Sequence, residues 1–165
     1  MSLTPQDLLQ ASREQLPGAV AMRRQIHMHP ELGLDLPETR NTVLAALRGL
    51  DLEIQESTKT SGLVATLRGA RPGPTLLLRG DMDALPMPED NELEFRSEVE
   101  GTMHACGHDI HTSVQLGVAS VLSEIKDDIT GTILFIFQPA EEGAPAGEEG
   151  GARLMLKEGV FDTPK

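Results

Sequence analysis

The chain of 165 residues contains no tryptophan and no tyrosine, and its aromatic content is four phenylalanines. Stacking platforms for bases and aromatic carbohydrate sites are therefore poorly supplied. Basic residues are scarce relative to acidic ones: 14 Lys and Arg against 26 Asp and Glu give a net charge of −12. A phosphate backbone needs clustered cations, and an anionic membrane surface attracts them, so both nucleic acid and membrane are excluded as partners. The apolar runs, such as 76–78 and 132–137, fall far short of the roughly 20 residues a membrane helix needs. No basic segment followed by an apolar one opens the chain, so no secretory signal is visible. A single cysteine, Cys106, rules out an internal disulfide. These features point to the cytoplasm, where a thiol stays reduced and is available as ligand or nucleophile.

What is present is a globular composition, 39% hydrophobic and 24% charged, with segments long enough to form a core. Thr4 followed by Pro5 starts a helix whose apolar positions include Leu8, Leu9, Leu16, Val20 and Ile26, and Pro17-Gly18 predicts a break or kink within it. A second helix is expected over 37–50. Short strands are expected over 52–56, 62–68 and 75–79. The last is continuously apolar at its centre, as in a strand covered on both faces. Residues 81–102 have no periodicity and read as a long functional loop. Asp109 is the expected N-cap of a helix with a Val114, Val118, Val121, Leu122, Ile125 stripe; 131–137 is the strongest strand, and a short helix closes 152–158. Alternating strands and helices imply an α/β layered domain.

Phosphate-loop, dinucleotide, nucleophile-elbow and H-E-x-x-H signatures are absent. Three segments carry chemistry instead. In Met103-His-Ala-Cys-Gly-His-Asp-Ile-His111, three histidines and the only cysteine fall within eight residues. Thiolate and imidazole suit Zn, and imidazole with carboxylate also suits Mn, Co or Ni. Cys106 and His108 flank Gly107, so both side chains can reach one ion; the alternative is a helix entrance with Cys106 as a small core residue. Asp81 and Asp83 follow an apolar strand and share one side of an extended segment, which calls for a cation or a shared proton, or else for a solvated turn. Glu141 and Glu142 also follow an apolar strand. One can ligate a metal while the other takes a proton, or both belong to an acidic surface loop. Together the three clusters are the equipment of metal-assisted hydrolysis.

The chain resembles the M20 metallopeptidase family, in particular its amidohydrolase branch of aminoacylase, hippurate hydrolase and auxin-conjugate hydrolase type. The matching stretches are Arg23-Arg-Gln-Ile-His-Met-His-Pro-Glu-Leu-Gly33, Arg79-Gly-Asp-Met-Asp-Ala-Leu-Pro86, Gly101-Thr-Met-His-Ala-Cys-Gly-His-Asp-Ile-His-Thr112, Gly131-Thr-Ile-Leu-Phe-Ile-Phe-Gln-Pro-Ala-Glu-Glu142 and Gly151-Ala-Arg-Leu-Met-Leu-Lys-Glu-Gly159. The resemblance implies a three-layer αβα sandwich with a mixed sheet, a site for two divalent ions (Zn, Mn, Co or Ni), and hydrolysis of the amide bond of N-acyl amino acids or similar small conjugates. It makes Cys106, His108 and Glu142 metal ligands, Glu141 the general base and Asp83 the carboxylate that orients a metal-binding side chain. It assigns no role to His27, His29, His104 or His111. It also makes 1–165 the N-terminal part of a catalytic domain, with the lid or dimerisation domain absent, two further histidine ligands supplied downstream, and a homo-oligomer expected only for the longer chain. The alternative expectation is a truncated, catalytically silent fragment acting as an interaction module.

Overall fold

The computed structural model describes residues 4–160 and 162. Helix α1 (Pro5–Met28) opens with a reciprocal cap: the Thr4 hydroxyl accepts the Asp7 N–H, and the Asp7 carboxylate accepts the Thr4 N–H at 2.9 Å. The helix runs unbroken through Pro17, contrary to the predicted break. Pro17 lies on the exposed side, where water can satisfy the carbonyl that its missing N–H leaves free. Leu9, Leu16 and Val20 are exposed, and only Ile26 and His27 of this helix are buried.

Helix α2 (Pro37–Leu47) is shorter than expected and lacks a cap from its own N-terminal residue. Glu31 supplies one from the preceding loop, its carboxylate accepting the Glu38 N–H at 3.1 Å and the Thr39 N–H at 2.8 Å. The strands are β1 (Glu53–Glu56), β2 (Leu63–Arg68), β3 (Arg71–Asp81) and β4 (Thr130–Gln138), with helix α3 (His108–Glu124) crossing between the last two and α4 (Gly151–Lys157) after them. The sheet order is β1-β2-β4-β3, antiparallel except for the parallel β3–β4 pair.

Strand β4 divides the core. Ile133, Phe135 and Phe137 face Leu36, Val43 and Leu47 and, from α3, Leu116 and Ala119. Leu134 and Ile136 point the other way, against Val64, Met155 and Val160. Helices on both faces of a mixed sheet make the three-layer αβα arrangement. The expectation of burial on both faces holds for β4 and fails for β3. The latter is an edge strand among the described residues, with Leu76 55% exposed and only Gly80 and Asp81 at its carboxyl end buried. Val114 is likewise exposed, and Leu116 and Ala119 form the core stripe of α3 in its place.

Across the second face, Glu158 ties the end of α4 to the β1–β2 turn. Its carboxylate accepts the Thr58 N–H at 3.0 Å, the Thr58 hydroxyl at 2.7 Å and the Ser57 hydroxyl at 2.5 Å. Burial raises the Glu158 pKa, but these hydrogen bonds outweigh it and hold the carboxyl below its ordinary value. The charge therefore stabilises the fold fully above the unfolded-state value of about 4.3, and that contribution disappears as pH falls through the lower folded-state value. Glu158→Gln is expected to lower unfolding stability by about 1 kcal/mol at pH 7. Urea titrations repeated below pH 4 should show the difference closing.

Candidate metal centre

The three chemical segments converge where β3 and β4 end and α3 begins, at the carboxyl edge of the sheet where open α/β domains bind ligands. Asp83 stands at the centre and is 1% exposed. Its Oδ1 accepts the Glu141 N–H at 3.1 Å and its Oδ2 accepts the Glu142 N–H at 3.0 Å, fixing the loop after β4 to the loop after β3. Its backbone carbonyl accepts His108 Nδ1–H at 2.9 Å. Burial alone would raise the Asp83 pKa, yet the His108 contact and the two N–H donors bring the carboxyl below its ordinary value.

His108 is buried and enters from the first turn of α3. With Nδ1 committed to Asp83, its Nε2 faces Glu141 Oε2 at 3.7 Å and Glu142 Oε1 at 3.9 Å. Burial lowers the His108 pKa, but the Asp83 contacts more than reverse this, so the site draws positive charge to that ring. Cys106 lies one residue from His108 across Gly107, whose φ of 91° is left-handed and suits glycine. The Cys106 thiol is pushed up to about 11 by burial and by the nearby Glu142. A cation would displace its proton.

Sγ of Cys106, an imidazole nitrogen of His108 and a carboxylate oxygen of Glu142 all lie within 4.8 Å of one another. Thiolate, imidazole and carboxylate in that compass fit one divalent ion of the Zn, Mn, Co or Ni group. The fit is chemical as well as spatial, since the tautomer of His108 is set by a carbonyl on its other nitrogen, as is usual for metal-binding histidines. Glu141, with its side chain 38% exposed, borders the same space.

A second group was not separated in the sequence. Asp81, His108 and His111 also bring donor atoms within 4.8 Å of one another. Asp81 is buried and paired with Arg79 at 3.2 Å and with His111 Nδ1 at 3.5 Å. The signal available was spacing: His108 and His111 are three apart on one helix face. Asp109, expected as an N-cap, is instead inside the helix and fully buried, with Gly107 at the cap position. His104 is enclosed with neither ring nitrogen hydrogen-bonded, and burial holds it neutral with a pKa of about 4. His29 lies outside these groups, at the end of α1.

Residues 77–165 match the family described as Peptidase family M20/M25/M40. The chain belongs to this family. Over 161 residues it is 43% identical to an N-acyl-L-amino acid amidohydrolase of Geobacillus stearothermophilus, covering 97% of this chain and 42% of that protein. It is 42% identical to an N-acetylcysteine deacetylase of Bacillus subtilis over 87% of this chain and 37% of the other. Among solved structures, a dinuclear metal-binding M20-family peptidase of Bacillus subtilis superposes with a TM-score of 0.80 at 42% identity, covering 88% of this chain and 40% of that one. The chain thus spans about two fifths of the length of these relatives. No helix among the described residues is long and apolar enough to cross a membrane.

The Asp83 carboxylate has four acceptor positions, and an amide in its place has two and adds donors. Asp83→Asn sets an NH2 group against one of two N–H donors, so a loss of about 1–3 kcal/mol is expected in denaturant unfolding of the metal-free chain. Unchanged stability would mean that the two loops are held together elsewhere.

Proposed function

We propose that the chain is the N-terminal part of the catalytic domain of a metal-dependent amidohydrolase acting on N-acyl amino acids or similar small conjugates. The observation that carries this reading is the meeting of Cys106, His108 and Glu142 within 4.8 Å, beside Glu141, in a chain of the M20 family. The names of the relatives, an N-acyl-L-amino acid amidohydrolase and an N-acetylcysteine deacetylase, support the substrate class. The description of the Bacillus subtilis structure as dinuclear supports two ions in the complete protein.

A bound divalent cation supplies Lewis acidity, polarising the amide carbonyl and lowering the pKa of water. The chain's own residues do the rest. Cys106, His108 and Glu142 are the ligands. Asp83 keeps His108 oriented so that Nε2 offers its lone pair to the site, and it holds the backbone of both glutamates. Glu141 carries the freest carboxylate of the group, 38% exposed on its side chain, and is the general base. It takes the proton of the attacking water and returns it to the leaving amine, which departs neutral. A reducing compartment, the cytoplasm, belongs to this reading because Cys106 must remain a thiol to serve as ligand.

Glu141→Gln separates the two roles. In the protein extended to the full length of its relatives, the variant is expected to retain bound metal while turnover of an N-acetyl amino acid falls by about 10²–10⁴-fold. Metal content by elemental analysis and amine release by a ninhydrin-type assay give the two readouts. A variant that keeps both metal and turnover removes Glu141 as the base. A parent that binds no metal and releases no amine leaves a non-catalytic interaction module as the better description.

A further inference from the structure

A buried charged chain links helix α1 to the ligand-bearing turn, and the hydrolytic reading leaves it without a task. Asp109 Oδ2 lies 2.7 Å from Arg23 Nε in an ion pair and 2.7 Å from His27 Nδ1, and Asp109 Oδ1 accepts the Ile110 N–H at 2.9 Å. The other nitrogen of His27, Nε2, faces Glu89 Oε1 at 3.1 Å. Glu89 also accepts the Ser97 N–H at 2.6 Å and Asn91 Nδ2–H at 3.2 Å, which fixes it within the loop that follows β3. Arg23 also places a guanidinium nitrogen 3.2 Å from His27 Nδ1, so one guanidinium, one imidazole and two carboxylates share a single cluster. Arg23 lies over the Phe95 ring at 5.0 Å, and His27 meets that ring edge-on at 5.8 Å.

Enclosing such a polar cluster gives little net stability, since well-packed apolar side chains do as well or better. What the arrangement does supply is direction. Asp109 is the residue after His108, and its carboxylate is held from α1 on one oxygen and from the first turn of α3 on the other. The turn 106–109 therefore cannot rotate about Gly107 without breaking contacts to Arg23 and His27. We infer that Arg23, His27, Glu89 and Asp109 form a positioning network that fixes Cys106 and His108 relative to Glu142, so that the three donors meet before any ion arrives. The inference rests on the ligand set of the proposed function. Arg23 and His27 are positioning residues, acting on the ion only through Asp109 and its neighbours.

Titration of the protein extended to the full length of its relatives with Co(II) under reducing conditions tests this, because a bound thiolate gives a charge-transfer absorption and the visible bands report ligand geometry. Arg23→Gln is expected to lower Co(II) affinity by about 10–100-fold and to shift the visible bands of the ion that still binds. Arg23→Lys, which restores the charge, should recover part of the affinity. Arg24→Gln should leave affinity and spectrum at the parental level, since Arg24 stacks on the same Phe95 ring but makes no contact with Asp109. A purely structural role for Arg23 would lower the melting temperature and leave the spectrum of the folded fraction unchanged. If Arg23→Gln does not fold, Glu89→Gln carries the same expectation from the far end of the network. A folded variant with parental affinity and spectrum overturns the inference alone. A parent chain without a thiolate–Co(II) band overturns the ligand set itself, and the inference with it.

Discussion

Asp83 is the joint on which the site depends. One buried carboxylate takes the N–H groups of two consecutive glutamates from the loop after β4, while the carbonyl of the same residue takes the proton of His108 from α3. Three segments separated by up to 59 positions in the chain are held by contacts to a single residue. Because this carboxylate is enclosed and well supplied with donors, the geometry around it is stiff, and low effective dielectric strengthens each contact. The acidic side chains it leaves free, those of Glu141 and Glu142, then stand close together facing His108 Nε2. Such an excess of negative charge around one nitrogen attracts positive charge, whether as a proton or as a metal ion.

The fold serves this joint simply. Strand β4 buries both faces and brings Gln138 level with Asp81 in the parallel register of β3, so the two chemical loops leave the sheet at the same height. Helix α3 crosses back between those strands and presents His108 at its start. The segment before α2 adds a second brace. Glu31 caps α2 with its side chain and accepts the Ala84 N–H with its backbone at 2.8 Å, which attaches the Asp83 loop to the helical layer.

Much of this was legible in the sequence where the signal is local. The unbroken apolar run of β4, the ligand types around Gly107 and the positions of both carboxylate pairs all lie within short windows. What escaped depends on partners far along the chain. An apolar centre in β3 looks the same whether a second helix covers it or the sheet simply ends, and Pro17 looks like a break unless its exposed setting is known. Asp109 reads as a cap because Asp favours that position, but Arg23 and His27, more than 80 residues away, draw it inside. Histidines in the 23–33 stretch could be counted from the sequence, but their tasks could not, since His27 takes its meaning from Glu89 and Asp109.

Ala140, immediately before the two glutamates, has a φ of 49°, in the left-handed region that side chains other than glycine seldom adopt. It is also almost completely enclosed. Branched residues are barred there by backbone geometry and large ones by the surroundings, while asparagine, which tolerates the backbone, would bring an amide with no room for water. Position 140 is thus nearly closed to drift, with glycine the natural substitute. The spacing between the end of β4 and Glu141 is therefore guarded by a methyl group that takes no part in the chemistry.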